Sequence, residues 1–211
     1  IENCQYNRIG QILQQGQHCF MSVKQSKVPV VAAICGYTLG GGCELAMYCT
    51  AVQAYSDTHI GLVETDIGVI PAWGGTKEYL LRAVKRGGDD ADMIIQNLTN
   101  AFRHIANAKK SINADDAFSM GILDASSRIS VNRERLLPAA KSLCLELAVD
   151  YVPKSELVIE APVELLCRSL EHEITECIQQ EHPGMTQHRC KTLKTLADVL
   201  SGKSAVKVAQ Q

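Results

Sequence analysis

The sequence predicts an α/β fold in which short strand–helix units form a layer and a mainly helical region follows. Two apolar segments, VVAAIC at 30–35 and AVQAYS at 51–56, have the continuous composition of strands covered on both faces. A glycine run and the predicted helical segment ELAMYC at 44–49 lie between them. This order of strand, glycine turn, helix and strand is typical of stacked βα units.

The other elements follow from hydrophobic periodicity and from glycine breaks. A helix is predicted over 3–24, where apolar residues recur on one face. The stretch 61–71 is predicted to be mixed strand and loop, and a helix over 77–84 follows a Gly-Gly-Thr turn. From Asp89 onward the chain is predicted to be mainly helical. The predicted helices of that part cover 89–108, 113–120, 133–149, 163–180 and 186–201.

Composition and charge restrict the classes of function. The chain has 211 residues, 46% of them hydrophobic, which is enough for one domain with a substantial core. The formal net charge is -2 and the Lys and Arg residues are dispersed, so we expect no nucleic-acid partner. No apolar run approaches the roughly 18 residues of a membrane span. Without a signal-peptide layout at its start, the chain is predicted to be cytoplasmic.

The nine cysteines contain no CxxC pair, and the six histidines show no metal-ligand spacing. Three cysteines lie in apolar runs and are predicted to be reduced core thiols: Cys35, Cys43 and Cys49. His182, His188 and Cys190 lie close together in the sequence, but in a polar and predicted helical tail. We therefore predict no metal site.

The glycine run Gly40–Gly42 predicts a place where a ligand meets bare backbone. Glycines before a helix remove the Cβ barrier and leave the first helical N–H groups without partners. Those groups would stabilise a carbonyl oxygen that becomes anionic, with Gly41 as the natural donor. A P-loop is disfavoured because Cys43 and Glu44 follow the glycines, and the order of a dinucleotide fingerprint is absent. Close packing of helix on strand, with no ligand, is the alternative.

Two glutamates could accompany this turn. Glu44 lies in the first turn of an apolar helix, as a pocket group or as an exposed N-terminal charge. Glu64 follows 20 residues later in an apolar stretch, so one strand could return it to the turn; it could also be an exposed strand charge, and Asp66 is a rival. Two carboxylates beside a carbonyl-binding backbone suit water addition or proton transfer next to that carbonyl.

Two separated segments resemble the signature of the crotonase, or enoyl-CoA hydratase, superfamily: GYTLGGGCELAMYC at 36–49 and IGLVETDIGVIPAWGGTKEYLLRAV at 60–84. With AKKSINADDAFSMGILDASSRISVNRERLL at 108–137, the chain looks like the C-terminal hydratase-like half of bacterial 3-hydroxyacyl-CoA dehydrogenases of fatty-acid β-oxidation. The resemblance implies a partial crotonase-type ββα spiral over 1–131 and a helical C-terminal region over 132–211.

The resemblance assigns roles at matching positions. Gly41 falls where the family uses an oxyanion-hole N–H for the thioester oxygen, Glu44 where a glutamate activates water, and Glu64 where a glutamate protonates C2. Further substrate-binding positions are implied at Gly40, Gly42, Pro71, Trp73 and Gly74. Trp73 departs from the family's small residue, so it either narrows the acyl tunnel or packs as the chain's only Trp. The implied substrate is an acyl-CoA thioester, with no metal or redox cofactor.

The resemblance also concerns partners. The family's early strands and its second oxyanion-hole N–H normally precede the helix at which this chain begins, and NAD would bind only to a dehydrogenase domain further upstream. Helices of 132–211 would make contacts within a homo-oligomer or with that domain, as the amphipathic segment RLLPAAKSLCLELAV suggests. The alternatives to a hydratase are an enoyl-CoA isomerase and a catalytically impaired acyl-CoA-binding or assembly module.

Overall fold

The computed structural model describes residues 6–153, 168–173, 175–176 and 186–201. Two small parallel sheets are formed by strands between residues 31 and 130. Their strands are β1 (Val31–Ile34), β2 (Tyr37–Leu39), β3 (Ala51–Tyr55), β4 (His59–Gly61) and β5 (Arg128–Ser130). One sheet has the order β1-β3-β5, and the other pairs β2 with β4. Each crossover between parallel neighbours is made through a helix or a long connection, as parallel pairing requires.

Helices surround these sheets. They are α1 (Tyr6–Lys24), α2 (Gly41–Tyr48), α3 (Gly75–Gly87), α4 (Ala91–Ala106), α5 (Ala114–Met120), α6 (Leu136–Ala148) and α7 (Gln187–Leu200), with 3-10 turns at Glu64–Ile67 and Arg133–Arg135. Residues 168–173 and 175–176 are also helical. The α/β fold with a helical C-terminal region is thereby confirmed. The stretch YVPKSELVIEAP at 151–162, whose composition predicts a linker, lies almost entirely outside the described residues, as does part of the helix predicted over 163–180.

One core joins the sheets to the later helices. Ile60 of β4, Phe102 and Leu98 of α4, and Leu193 and Leu196 of α7 are almost fully buried within one cluster. Burial of side chains of this size contributes about 1.5–3 kcal/mol each. The C-terminal helix α7 therefore stabilises the same core as β4, the strand that leads to the 3-10 turn at Glu64–Ile67.

Helix α6 has two apolar faces, and the structure covers only one of them. Leu136, Ala140 and Leu143 are buried, and α6 packs on β1 and β3. Leu137 and Leu145 are exposed on the other side. The predicted contact of the C-terminal region with another subunit or domain stays a prediction.

Three details differ from the sequence expectations. The strands β2 and β5 were not predicted, because each has three residues and exists through pairing with β4 or β3. The helix predicted from Glu44 already begins at Gly41. Cys35 is exposed and is not a core thiol, because it follows the last residue of β1 and precedes Gly36, whose φ of 65° turns the chain. Cys43 and Cys49 are buried as predicted.

Within the described ranges, every helix is too short or too polar to serve as a transmembrane segment. The same part of the chain contains no group of three His, Cys, Asp or Glu side chains arranged to hold a metal ion.

Candidate active site

The glycine turn is a fixed backbone bend between β2 and α2. Gly40 has φ 55° and ψ -125°, a conformation that a residue with a Cβ rarely adopts. Its N–H donates to the carbonyl of Gly61 at 3.0 Å, and its carbonyl accepts from the N–H of Glu44 at 2.9 Å. Because the Gly40 N–H is already bonded, Gly40 shapes the turn and is not a free donor for a ligand.

The next two residues begin α2. The N–H groups of Gly41 and Gly42 are in the first helical turn, where no carbonyl lies four residues earlier within the helix to accept from them. The partial positive charge of the helix N-terminus adds to these donors. The turn therefore presents backbone that can bind an anionic oxygen, with Gly41 half-buried and Gly42 exposed.

Glu64 returns to this turn, as the sequence predicted. It is the first residue of the 3-10 turn that follows β4, and a Cβ built on Gly40 would lie 3.4 Å from its Oε1. Both carboxylate oxygens are buried, and neither has a hydrogen-bond partner among the described residues. The reading of Glu64 as an exposed strand charge is therefore wrong, and its rival Asp66 is exposed.

This environment raises the pKa of Glu64 to about 7. The largest cause is burial, which disfavours the ionised form; the nearby backbone N–H groups of Glu64 and Val63 oppose the rise, and the negative charge of Glu44 adds to it. A carboxyl with this pKa holds its proton in about half of the molecules at neutral pH. Both glutamates are tied to the same glycine, since Glu64 Oε1 lies beside Gly40 and the N–H of Glu44 donates to the Gly40 carbonyl.

Glu44 is 2% exposed, so it is a pocket group and not an exposed N-terminal charge. Its Oε1 accepts hydrogen bonds from the backbone N–H groups of Trp73 at 3.0 Å and Gly75 at 2.8 Å. Burial raises the pKa of Glu44, while the N–H groups of Gly75, Trp73 and Gly74 oppose that rise. The carboxylate is thus held at the N-terminus of α3, whose dipole favours its charge.

Trp73 connects this loop to α1. Its ring packs edge-on against Phe20, with centroids 5.4 Å apart. A Cβ on Gly41 would lie 3.1 Å from its Cζ3, and a Cβ on Gly16 would lie 2.3 Å from its Nε1. The indole therefore lies between the beginning of α2 and helix α1. Trp73 thus packs in an aromatic contact and lies directly beside the glycine turn, and the narrowing of an acyl tunnel by this residue stays a prediction.

The remaining predicted substrate-binding residues, Pro71 and Gly74, lie in the loop that precedes α3. Pro71 and Gly74 line a cavity of about 560 Å³, with Leu13, Gln17 and Met21 of α1. Neither the glycine turn nor the two glutamates line this cavity. The structure thus divides the predicted binding residues into a group at the glycine turn and a group at the cavity.

Sequence reasoning missed the side chains that attach α1 to this region. Lys24 forms an ion pair with Glu78 at 2.6 Å, and its Nζ lies 5.7 Å from the ring centroid of Tyr48. The Gln17 side chain donates to the carbonyl of Ala72 at 2.8 Å. The periodicity of α1 indicated an apolar face, but nothing local could show which loop that face covers.

Residues 2–182 match the family described as enoyl-CoA hydratase/isomerase. The chain is 35% identical over 193 residues to a Bacillus subtilis protein named "Probable 3-hydroxyacyl-CoA dehydrogenase", covering 90% of this chain and 24% of that protein. It is 38% identical over 128 residues to a crotonyl-CoA hydratase of Syntrophomonas wolfei, covering 61% of this chain and 42% of that protein. The chain thus spans about a quarter and about two fifths of these relatives.

The fold also matches solved structures. An enoyl-CoA hydratase from Bacillus anthracis superimposes with a TM-score of 0.53 at 22% identity, covering 96% of this chain and 68% of that one. At this identity the match concerns the fold alone.

Proposed function

This chain belongs to the enoyl-CoA hydratase/isomerase family, and we propose that it takes part in the hydration of a trans-2-enoyl-CoA to the 3-hydroxyacyl-CoA. The observation that carries the proposal is the state of Glu64, whose two carboxylate oxygens are buried, lack partners among the described residues and lie beside the glycine turn. A buried carboxyl without a partner is unfavourable for folding, so such a group points to use by a ligand.

In the proposed reaction the thioester oxygen accepts a hydrogen bond from the N–H of Gly41. Gly41 is favoured over Gly40 because the Gly40 N–H already donates to Gly61. Negative charge develops on this oxygen as the conjugated thioester is attacked, and a fixed N–H at a helix N-terminus stabilises it without rearrangement.

The two glutamates divide the proton transfers. Glu44, held by backbone N–H groups, accepts a proton from the water whose oxygen forms the new bond to C3. Glu64, with its pKa raised to about 7, gives its proton to C2 as the C2–C3 double bond becomes single. Glu44 takes up one proton and Glu64 gives one up, so the substrate gains the elements of water; the cycle closes when Glu44 loses its proton to solvent and Glu64 regains one from solvent. The step uses only backbone and these carboxyls.

The direct test is hydration of crotonyl-CoA, followed by loss of absorbance of the conjugated thioester. The substitution Glu64→Gln should lower kcat by about 100-fold or more, since an amide cannot supply the proton. Asp66→Asn is the matched control, because it removes an exposed carboxyl from the same 3-10 turn and should leave the rate unchanged. Full activity in Glu64→Gln would overturn the mechanism.

A second candidate is isomerisation of the double bond, which needs one base. The favouring observation is that backbone donors occupy Oε1 of Glu44, whereas Glu64 lacks a partner among the described residues. Incubation with a 3-enoyl-CoA separates the two reactions. Appearance of the conjugated thioester without subsequent hydration would favour the isomerase.

We also propose that this segment works beside a 3-hydroxyacyl-CoA dehydrogenase domain. The support is the Bacillus subtilis relative, which carries that name and of which this chain covers 24%. The two activities would be sequential, because hydration makes the 3-hydroxy group that a dehydrogenase oxidises. Reading the gene before the codon for Ile1 tests this: a strand followed by GxGxxG would support the fusion, and a stop codon in that frame would exclude it. The cytoplasmic location stays a prediction.

A further inference from the structure

The indole of Trp73 is placed to limit which acyl chains reach the glycine turn. Its six-membered ring approaches Gly41, where a Cβ would lie 3.1 Å from Cζ3 and 3.3 Å from Cε3. Its other edge reaches α1, where Nε1 would lie 2.3 Å from a Cβ on Gly16. No side chain larger than hydrogen fits at Gly16 while the indole keeps this position.

The direction of the acyl chain follows from Glu44. Its Oε1 accepts the backbone N–H of Trp73, so the group that activates water lies next to this residue. Water adds at C3, which must therefore lie on the Trp73 side of the thioester. Carbons that continue beyond C3 then meet the indole and Phe20, whose ring lies 5.4 Å from it.

A cavity that could hold a longer acyl chain lies next to Trp73 in the loop. The cavity of about 560 Å³ is lined by Ala72 and Gly74, the two chain neighbours of Trp73, and by Leu13 and Gln17 on either side of Gly16. The indole lies beside Gly41 and Gly16, and its two chain neighbours line the cavity, although the indole itself does not. It is held there by packing alone, because Nε1 is buried and has no hydrogen-bond partner among the described residues.

We propose that Trp73 is the specificity-determining residue of this site and restricts it to short-chain enoyl-CoA thioesters, with the cavity available to longer acyl chains only when the indole is absent or displaced. This inference rests on the proposed function. An apolar pocket that gains or loses room for a few methylenes changes kcat/KM by about 10-fold or more.

The experiment compares kcat/KM for crotonyl-CoA and trans-2-octenoyl-CoA in the unchanged protein, in Trp73→Ala and in Phe118→Ala. Phe118 is a partly buried aromatic residue of α5, so its removal controls for general loosening of the core. We expect the octenoyl-to-crotonyl ratio to rise at least about tenfold in Trp73→Ala and to stay constant in Phe118→Ala. An unchanged ratio in a folded Trp73→Ala would overturn the inference.

Binding provides a readout that does not depend on turnover. Butyryl-CoA and octanoyl-CoA cannot be hydrated, and calorimetry measures their affinities in the same variants. Octanoyl-CoA should bind Trp73→Ala at least about tenfold more tightly than the unchanged protein, whereas butyryl-CoA should not show this gain. Equal octanoyl-CoA affinity in both proteins would overturn the inference. Because Trp73 is the only Trp of the sequence, its fluorescence emission also reports whether butyryl-CoA reaches the indole in the unchanged protein.

The two proposals fail differently. If the unchanged protein hydrates neither enoyl-CoA although saturated acyl-CoAs bind with the expected length preference, the hydratase proposal fails and the role of Trp73 stands. If the protein hydrates crotonyl-CoA and octenoyl-CoA equally well before substitution, the hydratase proposal stands and the role of Trp73 is wrong.

Discussion

The backbone N–H of Gly75 donates a 2.8 Å hydrogen bond to Oε1 of Glu44. Two glycine-initiated helices thus meet at one carboxylate, since Glu44 lies in the first turn of α2 and Gly75 begins α3. The contact depends on the missing side chain of Gly75. A Cβ there would lie 2.8 Å from Cγ of Glu44 and 2.8 Å from Cδ2 of Leu62.

Gly75→Ala should therefore damage the site. The added methyl group must displace Glu44 or Leu62, and overpacking of this kind costs about 1–3 kcal/mol. We expect a lower free energy of unfolding in urea and a lower kcat for crotonyl-CoA hydration. Gly10→Ala is the control, because a Cβ at Gly10 of α1 meets nothing within 4 Å. It should stabilise the helix by about 0.5–1 kcal/mol. Unchanged stability and kcat in Gly75→Ala would show that Glu44 is not fixed by this contact.

Two glycines of the turn, Gly40 and Gly42, should respond differently to the same substitution. Gly40 has a positive φ of 55°, so Gly40→Ala introduces backbone strain of about 1–3 kcal/mol and moves the surface against which Glu64 lies. A Cβ on Gly42 makes only an ordinary contact, 3.8 Å from Cγ2 of Thr38. Thermal unfolding should show a clear drop in Tm for Gly40→Ala and little change for Gly42→Ala. Equal Tm values for the two variants would contradict this assignment of strain.

The pKa of Glu64 predicts how hydration depends on pH. Since the proposed role requires its protonated form, kcat/KM should fall as the pH rises through about 7. At lower pH the rate should fall again when Glu44, whose pKa is also raised, takes up a proton. A pH profile of kcat/KM for crotonyl-CoA checks both limbs. A rate that keeps rising well above neutral pH would show that Glu64 acts as an ionised base.

The same pKa predicts a change in stability. The folded-state pKa of Glu64 is about 7 against 4.5 as the ordinary value, so the folded protein binds the proton more tightly than the unfolded chain. This contribution to stability is fully present below pH 4.5 and is lost as the pH rises towards 7. Glu64→Gln should remove that loss, because the amide stays neutral.

After allowance for solvent screening, Glu64→Gln should be more stable than the unchanged protein at about pH 8 by on the order of 1 kcal/mol. The difference should be much smaller at about pH 4, where both side chains are neutral. Urea unfolding at the two pH values measures it. A pH-independent difference would place the pKa of Glu64 near its ordinary value.

The ion pair between Lys24 and Glu78 should hold α1 over the site. Both side chains are largely buried. In Lys24→Met the Glu78 carboxylate would still have Lys77 nearby, whose Nζ lies 3.5 Å from Oε1 of Glu78. Breaking a buried pair by removing one partner destabilises a protein by about 3–5 kcal/mol, and less when a second cation remains. The emission of Trp73 should shift to the red as α1 loosens. Lys27→Met, which removes an exposed cation just after α1, is the control and should leave the emission unchanged.

Much of the local structure could be predicted because it depends on local chemistry. The helix at Ala91–Ala106 begins where Asp90 accepts from the N–H of Met93, and α5 begins with a similar cap from Asn113. Strands of three residues such as β2 and β5 escaped prediction, because their pairing partners lie far away in the sequence. Their stability depends on those partners and not on their own composition.

The amino-acid sequence by itself determined the α/β order, the glycine turn and the spacing that brings Glu44 and Glu64 to it, because glycine conformations, capping and apolar periodicity act over a few residues. Only the tertiary structure decided that the Glu64 carboxyl lies against Gly40 with no hydrogen-bond partner among the described residues, that Gly75 binds Glu44, and that Trp73 packs between Gly41 and helix α1. These contacts join residues distant along the chain, so they depend on how whole elements pack and on which side chains leave room for one another.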